Sequence, residues 1–309
     1  LAFDTLAESV FRQAVLPGEY SKYTRVQTGV TNETTEQNII TRAAMMRKWT
    51  GSRRSKMPRS YSQRVTLERY EDTLEIPRMT LSYRDQQGQV SGMISDFVAQ
   101  QAAAYDIAVH ALYTSNSGLG PTGFDAVGMF SASHPDGPAG ALQSNTGTLP
   151  FNAQNLDVVM AQMMSLRAEN GLSMRITPTH IRFGPKLAMQ VSAVLQSTVR
   201  IASVNVSGTE VTSGVVAAAG IGNVFQGILQ PIMDPNLVGT MDDWWEVLDL
   251  SKGNTRPMQL LIGRPITAIN MVDMSSPKRF FEDKFVYGVE GDYVPAPEAW
   301  MLANRQIVA

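Results

Sequence analysis

The chain has 309 residues, enough for one large domain or two smaller ones, and its 43% apolar content against 17% charged residues excludes global disorder. Without a single cysteine it has no disulfide, thiolate metal site or cysteine nucleophile, and its three histidines, His110, His134 and His180, are too scattered in sequence to suggest a histidine-rich metal centre. Charge is nearly balanced overall, with 26 basic and 28 acidic residues, but it is not evenly spread along the chain.

Residues 1–16 carry Phe3, Leu6, Val10 and Phe11 at helical spacing and stop at Pro17-Gly18, which predicts an amphipathic helix. The two acids in this stretch, and the lack of any run of 18 apolar residues, predict neither a signal peptide nor a membrane span. Leu1 fits a processed terminus or a choice of numbering equally well. Residues 18–38, GEYSKYTRVQTGVTNETTEQN, are polar without a sustained period, so 1–44 is expected to be an arm with little core of its own.

Residues 42–64 hold eight bases (Arg42, Arg47, Lys48, Arg53, Arg54, Lys56, Arg59, Arg64) and no acid, leaving 18 bases against 28 acids elsewhere. Gly51, Pro58 and several serines interrupt the stretch. Behind it, Val65, Leu67, Leu74, Ile76, Met79, Leu81 and Tyr83 alternate as in a strand. Together they predict a long strand pair over 45–85 with a basic tip. A hairpin this long cannot bury both faces on a small core, so it is expected to project.

From Gly88 the pattern turns helical, with Val90, Met93, Ile94, Phe97, Gln101, Ala104, Ala108, His110, Ala111 and Leu112 along a helix over 88–114. At about 1.5 Å per residue it would be roughly 37 Å long. Residues 115–150 form a connection rich in Gly, Ser, Pro and Asn. A second helix over 152–170 has Asn152 as N-cap, Phe151 and Leu156 as a hydrophobic staple, and Gly171 as its stop. Its apolar stripe is Leu156, Val159, Met160, Met163 and Leu166. Residues 176–183 read as a strand, and Pro185 opens a third helix with Leu187, Ala188, Val191, Val194 and Leu195 inward. Residues 201–238 are small and apolar, a mixture of short strands and turns, and 239–309 are strands separated by Gly and Pro turns. The seventeen methionines suit adaptable packing surfaces, in a core or between subunits. No internal repeat is present, and the class is α+β.

Signatures of catalysis do not survive inspection. Gly220 and Gly222 begin like a dinucleotide loop, but Phe225 stands where the third glycine must be. Ser275 and Lys278 have the S-x-x-K spacing of serine acyl-enzymes without the further Ser and Lys motifs that chemistry requires. His134, in SASHPDG near Asp125 and Asp136, is better explained as a loop histidine satisfying a turn than as a general base. His110 is most simply a helix-face packing residue. Asp242, Asp243 and Glu246 have the chemistry of metal ligands, yet with two tryptophans between them an exposed edge with Trp244 or Trp245 buried is the simpler reading.

Three readings of the basic segment stay open. It is a solvated loop; or it binds a nucleic-acid backbone, with Trp49 and Tyr61 at hand; or it meets an acidic surface on another copy of the chain. Against the second stand the acidic remainder of the chain and the lack of a recognition module. For the third, residues 201–251 hold six acids (Glu210, Asp234, Asp242, Asp243, Glu246, Asp249) and no base. Such a charge separation suits head-to-tail association.

MRKWTGSR at 46–53 and YEDTLEIPR at 70–78 resemble the major head subunit of Mu-like tailed phages. Phe124-Asp125, FSASHP at 130–135, PTHI at 178–181 and FVYGV at 285–289 match in type and order, so the resemblance runs from about residue 40 to the C-terminal end. Ser52 departs from the acid more usual in that family. The resemblance implies the fold of tailed-phage major capsid proteins. In it, 1–44 is an N-terminal arm and 45–85 a projecting β-hairpin loop. A peripheral domain with its spine helix at 88–114 covers 86–182, an axial domain covers 183–238, and 239–309 supplies the peripheral domain's return strands.

It further implies a structural subunit, neither enzyme nor cofactor binder, that assembles as hexamers and pentamers into an icosahedral head enclosing double-stranded DNA. It would reside in the virion, and in the host cytoplasm during assembly. Implied partners are other copies of the chain, a portal, scaffold or maturation protease, a decoration protein, and packaged DNA through weak non-specific contact, with no membrane. In this family the hairpin lies across the neighbouring subunit. Arg47, Trp49, Arg53, Arg54, Lys56 and Arg59 are therefore expected at an intersubunit contact, with Asp242, Asp243 and Glu246 as its acidic partner. The rivals are an encapsulin-like nanocompartment shell of the same fold and a nucleic-acid-binding protein using 42–64.

Overall fold

A computed structural model describes residues 18–40, 51, 60–82, 87–135, 140–197, 199–202, 219–271 and 276–308. The chain divides into two compact units, one drawn from Leu1–Ser131 and Asn254–Trp300, the other from Ala132–Gly253 and Met301–Ala309. In chain order the first holds α1 (Tyr20–Tyr23), β1 (Thr24–Thr28), β2 (Thr34–Ile40), β3 (Ser60–Thr66) and β4 (Glu68–Pro77). It continues with α2 (Arg78–Ser82), α3 (Gln87–Ala102) and α4 (Ala104–Tyr113). The second holds β5 (Thr146–Gly147), α5 (Ala153–Met164), β6 (His180–Phe183) and α6 (Ala188–Gln196). After them come β7 (Val199–Ala202), β8 (Ala219–Gly222), β9 (Gln230–Met233) and β10 (Trp245–Leu248). The chain then returns to the first unit with β11 (Met258–Met271), α7 (Pro277–Glu282) and β12 (Lys284–Pro297), and β13 (Ala303–Gln306) closes the second.

The first unit is built on a sheet of order β1–β11–β12–β4. Its axis is the antiparallel pair of fourteen-residue strands β11 and β12, registered from Met258↔Pro297 to Met271↔Val286. β4 is the edge strand on the β12 side, antiparallel to β12 from Tyr293↔Glu68 to Lys284↔Pro77. Ile76, Ile94 and Val289 form one small core, with Leu74, Phe97, Ile266 and Tyr287 packed around it. Val65, Leu261 and Ala296 form another with Val30, Leu67 and Val294.

Two expectations are corrected here. The hairpin has β2 and β3 as its strands, paired from Thr34↔Thr66 to Ile40↔Ser60. It therefore begins within the expected arm, and β4 is not its returning strand but the partner of β12. The middle of β2, TTEQNII, is polar, so no alternation betrays it as a strand. Nor is the stretch after Gly18 without a core. Tyr20 and Tyr23 are buried, Tyr23 lies 5.7 Å from the Tyr113 ring, and the Tyr20 amide donates to Asp106 Oδ1 at 3.0 Å. A single helical turn is too short to show a period, which hid it from the sequence.

The long helix is present in the expected place as two segments, α3 and α4, separated at Ala103 (φ −81°, ψ −2°). Its inward face differs from the expected one. Ile94, Tyr105, Val109 and Tyr113 are buried, whereas Met93 is 53% exposed. Tyrosines dominate this face: Tyr105 packs edge-on against Tyr293 at 4.8 Å, and its hydroxyl accepts the Ile266 amide at 3.0 Å. Among the described residues no helix is long and apolar enough to cross a membrane.

The second unit has a five-stranded sheet of order β5–β13–β10–β6–β9. β10 and β13 are buried at every position. α5 starts as predicted, its Asn152 Oδ1 accepting the Asn155 amide at 2.8 Å. All five stripe residues, Leu156, Val159, Met160, Met163 and Leu166, are buried. The helix stops at Met164, short of the expected Gly171. An isolated bridge between Arg167 and Ser173 turns the chain there instead, with Gly171 at φ +78°. The expected axial boundary at 182/183 falls inside β6, whose neighbours are β9 and β10. Of the expected return strands only β11 and β12 join the first unit; β10 and β13 belong to the second.

Candidate assembly interface

The expected acidic partner sits where a short 3-10 turn, Gly239–Met241, leads into β10. Asp242 and Asp243 are partly exposed, and the chain supplies them with its own cation. Lys186 Nζ lies 2.6 Å from Asp243 Oδ2 and 3.4 Å from Asp242 Oδ1. These hydrogen bonds, chiefly the one Lys186 donates to Asp243, hold the lysine's pKa above its ordinary value. Trp244 and Trp245 then turn inward, as the sequence suggested for one of them. Trp245 Nε1 donates to the Leu149 carbonyl at 2.8 Å and its ring meets Phe151 at 5.2 Å.

Glu246 corrects the sequence reading. It is only 1% exposed and so lies out of reach of another subunit. In the sheet its cross-strand partners are Arg182 of β6 and Arg305 of β13. Glu246 Oε1 accepts from Arg182 Nη1 at 2.9 Å and from Arg305 Nε at 2.6 Å, and Arg182 Nε also donates to Asp234 Oδ2 at 3.1 Å. Burying these charges is tolerable only because each has an oppositely charged hydrogen-bond partner. The Arg305 guanidinium additionally lies 5.7 Å from the centroid of the Trp244 ring.

The other side of the expected contact, Arg47, Trp49, Arg53, Arg54, Lys56 and Arg59, lies outside the described residues, in the stretch between β2 and β3. The remaining candidates have structural surroundings. His134 is buried, its Nε2 3.1 Å from Asn145 Oδ1, while its backbone pairs with Gln143 in both directions at 2.9 Å. His180 Nδ1 contacts Thr179 Oγ1 at 2.9 Å. Gly220 and Gly222 lie in β8 and not in a loop opening a helix. Ser275 is outside the described residues, and Lys278 binds Glu75 and Glu282. Among the described residues no cluster of His, Asp or Glu could hold a metal ion.

Two charged surfaces of the first unit escaped the sequence reading because their members are far apart in the chain. At one end of the sheet, Glu75 accepts from Lys284 at 2.8 Å and from Lys278 at 2.9 Å. These bonds pull its pKa down from 4.5 to about 2. Along the outer edge, β4 presents Glu68, Glu71 and Asp72. Among the described residues they accept from neutral donors: the Tyr70 hydroxyl, Thr73 Oγ1, the Thr73 amide and Gln101 Nε2. Among the described residues none of the three has a cationic partner.

The fold defines a class. Solved structures that share it include the procapsid of bacteriophage JBD30, at TM-score 0.53 and 15% identity over 100% of this chain and 74% of that one. The mature capsid of bacteriophage PhiM1 aligns at TM-score 0.57 and 9% identity, covering 94% and 86%. A virus-like particle from Pyrococcus furiosus aligns at 0.53 and 10% identity, covering 99% and 100%. The chain thus has the mixed helix-and-sheet fold of phage capsid subunits. More particularly, residues 2–150 match the family of the Mu-like prophage major head subunit gpT, which bears out the resemblance read from the sequence. That match begins earlier than the quoted motifs and leaves those at 178–181 and 285–289 outside it. No curated protein matches the chain by sequence.

Proposed function

We propose that this protein is the major capsid subunit of a tailed-phage head, assembling as hexamers and pentamers into a closed icosahedral shell around double-stranded DNA. The observation that carries the reading is the coincidence of a Mu-like head-subunit match over residues 2–150 with a capsid-subunit fold over the whole chain. The role is structural and not enzymatic, its place is the virion, and its first partner is its own kind.

The form of the subunit supports this. β2 and β3 make a two-stranded ribbon anchored at its base by Val65 on β11 and β12, and a two-stranded ribbon beyond such an anchor is marginal in water unless something covers it. A neighbouring subunit is the natural cover. The basic residues 42–64 then meet that neighbour's acids. Asp242 and Asp243 are open to them only in competition with Lys186, whereas Glu68, Glu71 and Asp72 have no competing cation among the described residues. We therefore favour the β4 edge as the acceptor. Each contact is modest and the closed shell adds many of them.

A second reading, a shell that encloses no genome, is favoured by one observation, the full-length likeness to the Pyrococcus furiosus particle. Electron microscopy of the purified protein, with sedimentation at low and high salt, tests the proposal. Closed shells or five-fold and six-fold rings are expected. A monomer that binds duplex DNA tightly and in a salt-sensitive manner through 42–64 would overturn it. DNA-filled particles from infected or induced cells separate the two shell readings.

A further inference from the structure

The long helix of the first unit leaves one face uncovered. Met93, Asp96, Gln100, Ala103, Ile107 and Ala111 are exposed, at the spacing of a single stripe along α3 and α4, with Met93 53% and Ile107 55% exposed. From Val90 to Tyr113 the chain holds no Lys or Arg, and only Asp96 and Asp106 as acids. A helix face built to meet water carries charge along its length, whereas this one sets large apolar side chains at Met93 and Ile107 with Ala103 between them.

The described part of the chain begins beside that face. Gly18 backs onto α4, where a Cβ on it would lie 3.3 Å from Asp106 Cγ, and the Tyr20 amide donates to Asp106 Oδ1 at 3.0 Å. From there α1 runs toward the end of α4, Tyr20 meeting Tyr105 at 6.2 Å and Tyr23 meeting Tyr113 at 5.7 Å. Residues 1–17, which lie outside the described residues, therefore join the fold one residue from Ile107. That segment has the matching pattern. Phe3, Leu6 and Val10 share a helical stripe with Ala7 and Ala14, and Thr5 and Arg12 fall on the opposite side. As a helix, residues 3–16 cover about 20 Å, and Met93 to Ile107 spans about 21 Å.

We propose that residues 1–16 form a helix docked on the exposed stripe of α3 and α4 of the same chain, running parallel to them. The fixed point at Gly18 sets the register, with Phe3 beside Met93, Val10 beside Gln100 and Ala14 beside Ala103. Alanines on both stripes let the two helices approach closely. The same segment of a second copy offers the same side chains, but the chain's own segment is tethered at the stripe and competes at an effective concentration of about a millimolar. The contact belongs to the single subunit, so it stands or falls independently of the shell reading.

The chain has no cysteine, so paired substitutions report this contact alone. In dilute subunits carrying Val10→Cys and Gln100→Cys, a short bismaleimide should give roughly tenfold more cross-link within the chain than with Arg12→Cys and Gln100→Cys, because helices packed about 8–10 Å apart put the far face beyond its reach. Phe3→Cys with Met93→Cys reads the same register if the first pair does not fold. Trypsin gives a second readout, since Arg12 is the sole basic residue in 1–21. Cleavage after Arg12 follows the population of the open form, so it should accelerate about tenfold in Ile107→Glu and stay unchanged in Met189→Glu, an exposed position of the second unit. Equal cross-linking of the Val10 and Arg12 pairs, or cleavage indifferent to Ile107→Glu, would overturn the docking. Cross-links that join two chains in place of one would overturn its assignment to the segment's own chain.

Discussion

Two glutamates show how differently a carboxylate can be held in one chain. Glu246 is enclosed by two arginines from neighbouring strands, so removing it takes a carboxylate from two buried guanidinium groups, of which Arg182 keeps Asp234. Glu246→Ala should cost about 3–5 kcal/mol in denaturant unfolding. Glu75 is exposed and gains its low pKa from Lys284 and Lys278. A depressed carboxylate pKa means its stabilisation is fully present above pH 4.5 and is lost as pH falls toward about 2. Lys278 and Lys284 are shifted upward by the same bonds, so their share is present below pH 10.5 and lost above it. NMR titration of Glu75 should find a midpoint near 2 in the intact chain, moving back toward 4.5 in Lys284→Met. An unchanged midpoint in that variant would contradict the assignment of cause. Glu246 also shows a limit of sequence reading. A glutamate beside two tryptophans looked like an exposed edge because the arginines that bury it are 64 and 59 residues away.

At the scale of elements, what the sequence made legible is what local chemistry decides. α5 has its cap and stripe within fifteen residues, and both are where the sequence put them, apart from an early stop. Asn152→Ala should therefore destabilise the second unit by about 1 kcal/mol. The hairpin was misplaced because β2 is polar in its middle and because the pairing of β4 with β12 spans more than 200 residues. Likewise the rotated face of α3 and α4 is set by tyrosines buried on partners from the rest of the unit. Tight approach between elements is also invisible in sequence. Gly184, between β6 and α6, has no room for a side chain, since a Cβ there would lie 2.3 Å from the Leu237 carbonyl oxygen. Gly184→Ala should cost about 1–3 kcal/mol, read as a lowered denaturant midpoint at unchanged slope.

On the scale of the whole molecule, the mixed helix-and-sheet class and the resemblance to phage head subunits were legible, because motifs in order survive where pairwise contacts cannot be inferred. The partition into units was not, since β13 returns to the second unit from the far end of the chain. The charged contact between copies can be apportioned by charge swap. Reversing Arg53, Arg54 and Lys56 to Glu should abolish particles, and adding E68K/E71K/D72K in the same chain should restore them. Restoration by D242K/D243K instead would place the acceptor at the Lys186 site. The most direct test of the account is a cryo-electron microscopy reconstruction of the particle formed by the unsubstituted protein. It should show pentamers and hexamers of this chain with the β2–β3 hairpin laid across a neighbouring subunit. A reconstruction in which that hairpin folds back on its own subunit, touching no neighbour, would contradict it.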